Sequence, residues 1–78
     1  MREKQNMLVV TFHTTAAAMA MEKYCAREGI AGRLISTPRA LSADCGISWC
    51  APLEARAQIE SLTARLLPDT EAIHELLM

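Results

Sequence analysis

The chain has no block of basic residues. Its eight Lys and Arg and nine Asp and Glu are spread along 78 residues for a net charge of -1, and only Phe12, Tyr24 and Trp49 are aromatic. A nucleic-acid interface built on a cationic groove or a base-stacking platform is therefore not expected. A membrane span is missing too. The most apolar region, Met7 to Met21, is interrupted by Thr11, His13, Thr14 and Thr15 and falls short of about 18 residues. The start, MREKQN, carries the acidic Glu3, and the following MLVVTF is shorter than the roughly 7–15 apolar residues of a secretory leader. A cytoplasmic location, where thiols stay reduced, is the expectation. No Cys-x-x-Cys or His-x-x-x-His pair exists, so no structural metal site is expected from His13, His74 and Cys45, and no cofactor is implied. Three cysteines, an odd number, do not make a disulfide framework.

What is present is a small apolar domain. Residues 1–78 read as a single unit without a linker, 51% of it hydrophobic, but thirteen of those residues are alanine. A chain of this size buries only about 60% of its unfolded surface, so a homo-oligomer would be an easy way to bury more.

Along the chain, MLVVTF is a continuous apolar run of the kind found in central, buried strands. TTAAAMAMEKYCAREG follows as a helix. Thr14 or Thr15 supplies its cap, and Gly29 sits where a left-handed terminal residue belongs, with Ile30 placed to pack back on Cys25. AGRLISTP reads as a second strand stopped by Pro38 and CGISWC as a third. Pro52 introduces a helix in LEARAQIESLTARLL, with Ala55, Ile59, Leu62 and Leu66 on one face and Arg56 and Glu60 as an exposed pair. The tail EAIHELLM is assigned to a last strand. The order β-α-β-β-α-β predicts an α+β, ferredoxin-like sandwich of two helices on one antiparallel sheet, with strand order 4-1-3-2.

That topology gives a place to the irregular run STPRALSADCGISWC. The start of the third strand falls beside the end of the first, so Cys45 is expected near His13, Thr14 and the first helix's N-terminus. Free amides and the positive end of the helix dipole collect there and favour a thiolate, the nucleophilic form of cysteine. Arg39 is a permanent cation able to face the sulfur or an anionic adduct on it. Ser42 can donate a hydrogen bond, and Gly46 removes a side chain beside the sulfur so that a partner can approach. Asp44 acts in the opposite sense, since an adjacent negative charge disfavours a thiolate. Cys50 cannot join Cys45 in a disulfide. Five extended residues span about 16 Å, whereas bridged Cα atoms lie within about 7 Å. Cys25, late in the first helix, reads as core, as do Met7, Met19, Met21 and Trp49.

At these residues the chain resembles a family of small bacterial proteins described as selenium/sulfur carrier-like, a domain of unknown function. Phe12, Thr14 and Thr15 match its first-strand ending, Glu22 and Lys23 its helix, and Gly29 and Ile30 the approach to its second strand. Thr37, Pro38, Arg39, Ser42, Cys45, Gly46 and Ile47 match its loop signature. The likeness runs from about Leu8 to the end of the second helix. Ser36 replaces a usual proline, and Trp49 and Cys50 replace an aliphatic and a usually basic residue.

The resemblance implies a carrier that holds sulfur or selenium on Cys45 as a persulfide or selenopersulfide. Its partners would be an enzyme that donates persulfide or selenide and a protein that accepts the atom. Such a chain need not be an enzyme, because the chemistry can belong to the partners. The contrasting expectation is a binding or oligomerisation module of the same fold, in which Cys45 is structural and a sheet face or edge strand makes the contacts.

Overall fold

The structure, a computed structural model, describes residues 4–41 and 45–78. The elements are β1 (Asn6–Phe12), α1 (Thr15–Glu28), β2 (Arg33–Ser36), β3 (Ile47–Pro52), a single 3-10 turn (Leu53–Ala55), α2 (Arg56–Leu66) and β4 (Thr70–Leu77). They form two helices on one four-stranded antiparallel sheet of order β2-β3-β1-β4, the predicted order.

Alternation along β1 sorts its side chains. Leu8, Val10 and Phe12 join the helices in one core with Ala17, Ala18, Met21 and Cys25 of α1 and Ile59 and Leu62 of α2. Val9 and Thr11 point to the other face, yet both are fully buried, because β3 and β4 flank them on either side. A strand buried on both faces accounts for the unbroken apolar run in the sequence.

Thr14 is the α1 cap, its side chain accepting from the Ala17 N–H at 3.1 Å. Gly29 ends the helix at φ 69, and the N–H of Ile30 donates to the Cys25 carbonyl at 2.9 Å. Arg56 pairs with Glu60 at 3.1 Å as the spacing predicts, and it also reaches Glu75 of β4 at 2.6 Å.

Four expectations need correction. β2 is shorter than AGRLISTP, because Gly32 at φ 142 turns the chain before it and Pro38 has no N–H to extend it. β3 begins two residues after Cys45 and runs through Pro52, whose Cα pairs with Met7, so Pro52 closes the strand before the helix. Leu66 is exposed and Leu67 is buried instead, because the chain leaves helical geometry at Leu67 and turns that side chain inward. Met19 is exposed, on the side of α1 opposite Met21.

Trp49 lies in the core and Gly32 lies directly against its ring. A Cβ on Gly32 would stand 2.4 Å from Nε1 of the indole, at a φ that L side chains rarely adopt. Gly32→Ala is expected to lower stability by about 1–3 kcal/mol through overpacking and strain, read as a lower urea midpoint. Gly29→Ala, with nothing within 4 Å of its Cβ, is the backbone-only comparison and should cost less.

Candidate functional site

The ends of three elements meet at Cys45. Its N–H donates to the Phe12 carbonyl at 3.2 Å, which ties the start of β3 to the end of β1. Its Sγ lies 3.5 Å from Oγ1 of Thr15, the first residue of α1. The sulfur therefore sits at the N-terminal turn of a 14-residue helix that has no acidic residue in that turn to offset its dipole. The residue is only 4% exposed.

A threonine clasp closes the loop that carries the cysteine. The Thr37 N–H donates to the Gly46 carbonyl at 2.9 Å, and its hydroxyl donates to the Cys45 carbonyl at 3.0 Å. Since that uses the only Thr37 hydroxyl proton, the 2.7 Å contact with Ser48 has the Ser48 hydroxyl as donor. Inside the loop, the N–H of Leu41 bonds to the Pro38 carbonyl at 3.0 Å, a turn that presents Arg39 to solvent.

The other sequence candidates divide. Thr14 is used by the helix cap, and its neighbour Thr15 brings a hydroxyl to the sulfur. His13 is exposed, and its N–H donates to the Asp69 carbonyl at 2.9 Å. Gly46 is exposed with open space where a Cβ would stand. Among the described residues, no hydrogen bond or ion pair joins Arg39 to Cys45. Ser42 and Asp44 lie outside the described residues. Sequence reasoning passed over Thr15 and Thr37 as site residues. The signal for Thr37 was a hydroxyl at a strand end just before a proline.

The other two thiols lie elsewhere. Cys50 is buried on the sheet face away from the helices, between Arg33 of β2 and Val9 of β1. Cys25 is fully buried in the core, and burial, with the Glu28 carboxylate adding to it, pushes its thiol up to about 11. That sets a pH window. An unfolded cysteine releases its proton near its ordinary 9.0, while the folded chain holds it to about 11. Stability contributed by the protonated thiol is thus complete below pH 9 and lost as pH rises to 11. Cys25→Ala should flatten this fall, on the order of 2 kcal/mol, measured by denaturant unfolding at pH 8 and pH 11.

Among the described residues, no group of three or more His, Cys, Asp or Glu is placed to hold a metal ion, and no helix is long and apolar enough to cross a membrane. A shallow cleft of about 330 Å³ between Glu28, Ile30, Gln58 and Arg65 lies at the other end of α1 from Cys45. No curated protein and no solved structure matches the chain significantly. A family model described as "Putative Se/S carrier protein-like" matches residues 7–75, which include the β1 ending, the threonine clasp, Cys45 and all of α2. The chain belongs to this Se/S carrier protein-like family.

Proposed function

We propose that the protein carries a sulfur or selenium atom on Cys45 and passes it between two protein partners in the cytoplasm. The observation that carries this reading is the Cys45 sulfur against the first turn of α1, 3.5 Å from the Thr15 hydroxyl. Helix amides and the dipole's positive end favour an anion there, and a terminal persulfide is an anion. The family description supports the same cargo. The element order and strand order fit a ferredoxin-like sandwich.

The transfer is a displacement without net redox change. The Cys45 sulfur attacks the terminal sulfur or selenium of a donor's persulfide or selenopersulfide. A bond forms from Sγ to that atom, the donor's S–S or S–Se bond breaks, and the donor leaves as a thiolate that takes up the Cys45 proton. Repetition of the step toward an acceptor thiol unloads the carrier. Arg39 on its exposed turn supplies a cation to the incoming donor or the adduct, with His13 as a polar neighbour and Gly46 leaving the approach open, and the Ser42 hydroxyl is the further donor assigned from the sequence.

The low exposure of Cys45 favours a second reading, an assembly module in which this thiol is structural. Intact-mass spectrometry without reductant, after incubation with a persulfide-loaded cysteine desulfurase, separates the two. The carrier gains one sulfur that dithiothreitol removes. A folded protein that gains none, and whose Cys45 resists alkylation, is the assembly module.

A further inference from the structure

The sheet's two edges differ in how they are guarded. β2 has four residues, carries Arg33 and stops before Pro38, whereas β4 runs for eight residues without Lys, Arg, Pro or Gly. Short length, prolines and charged side chains, lysine above all, are the usual protections of an exposed edge. β4 has neither the short length nor a proline nor a cation, and its only charges are Glu71 and Glu75. Gln5 and Met78 exchange both backbone bonds, at 2.8 and 2.9 Å, which makes them a hydrogen-bonded pair and sets the phase of the β1–β4 ladder. Steps of two make Met7–Leu76, Val9–His74 and Thr11–Ala72 bonded pairs as well. The backbone groups of Ile73, Glu75 and Leu77 therefore turn toward the free edge, and among the described residues no strand lies beyond it.

We propose that β4 pairs antiparallel with β4 of a second copy, across a two-fold axis at His74, to give one continuous eight-stranded sheet. The outward phase allows only axes that join odd-numbered residues. Axes at Ala72 and Leu76 are set aside by length, since they pair at most five residues of each β4 against seven for His74, and charge decides among the three between them. An axis at Ile73 sets Glu71 opposite the partner strand's Glu75, and an axis at Glu75 sets two Glu75 carboxylates face to face. Like charges directly opposite are destabilising. The His74 axis opposes no two carboxylates. It bonds Ile73 to Glu75 of the second copy twice over, each pair exchanging both N–H···O bonds, and sets Ala72 against Leu76 on the helix-free face. Glu75 enters this seam already paired with Arg56 at 2.6 Å. The arrangement is isologous, as a closed two-fold dimer requires. It is independent of the chemistry at Cys45.

Light scattering at about 100 µM reads the state directly. The dimer has twice the 8.6 kDa chain mass, about 17 kDa. In a non-hydrogen-bonded antiparallel pair the Cα atoms stand about 4.5 Å apart, within disulfide range. His74→Cys should therefore form an interchain disulfide on mild oxidation, mapped to residue 74 by peptide mass. Ile73→Cys and Glu75→Cys, each facing a different residue, should not self-link. His74→Lys sets two ammonium groups across the axis and should return the mass to that of one chain. A wild-type chain that stays at 8.6 kDa overturns the proposal. So does a dimer that crosslinks through 73 or 75, or one that His74→Lys leaves intact.

Discussion

Cys45→Ser should remove the whole of the reversible sulfur or selenium adduct, while Cys25→Ala and Cys50→Ser leave it in place. All three thiols are free and poorly exposed, so exposure alone does not separate them. Their surroundings do. Cys25 sits mid-core with its thiol pushed up to about 11 by burial and by Glu28, so it remains protonated and unreactive at neutral pH. Cys50 is wedged in the sheet between Val9 and Arg33, on a rigid strand without a helix terminus beside it. Cys45 alone adjoins both a helix N-terminus and a loop. Serine replaces Sγ with a smaller hydroxyl within reach of the Thr15 hydroxyl, so stability should change by no more than about 1.5 kcal/mol. The check is intact-mass spectrometry of all three variants after the same donor treatment, beside their urea midpoints. Adduct that persists on Cys45→Ser would move the carrier role to another thiol.

Most of the architecture was legible because its elements are punctuated. β1 is an unbroken apolar run, Gly29 closes α1, and Pro52 divides β3 from the turn before α2. These marks gave the element order, and topology rules turned that order into the strand order observed. Helix faces were less legible. The Leu62-to-Leu66 spacing assumed that α2 continues, but the backbone at Leu67 has φ -130 and ψ 74, which reverses the burial of those two leucines. The site was legible at the level of elements and not of hydroxyls. Topology brought Cys45 to the start of α1, yet Thr14 and Thr15 are interchangeable as caps in sequence terms. Only the backbone decides which of them bonds to Ala17 and which to the sulfur. Thr37 was visible only as a hydroxyl before Pro38 and as part of the loop signature, because its partners, the Cys45 carbonyl and Ser48, are eight and eleven residues away and its role depends on them.

That clasp yields the second large effect. Thr37→Val keeps the branched shape at the end of β2 but removes the hydroxyl that donates to Cys45 and accepts from Ser48. Ser48 is fully buried, so its hydroxyl would be left without an acceptor while the Cys45 carbonyl loses a donor. Leaving buried polar groups unpaired costs about 1–3 kcal/mol, and here the cost falls on the contacts that hold the Cys45 loop shut. Local opening that exposes a loop draws on such contacts rather than on the whole core. At about 1.4 kcal/mol per tenfold, a loss near 2 kcal/mol raises the open population some 30-fold. Alkylation of Cys45 in the folded protein should accelerate by about the same factor, measured with iodoacetamide and site-resolved mass spectrometry. Cys25 is the internal reference and should not change in parallel. The double variant Thr37→Val with Ser48→Ala decides the cause, because removing both partners of a buried bond is far less costly than removing one. Its alkylation rate should fall back toward that of the wild type. If the single variant reacts no faster, Cys45 is reached without undoing the clasp, and the loop's closure is not what guards the sulfur.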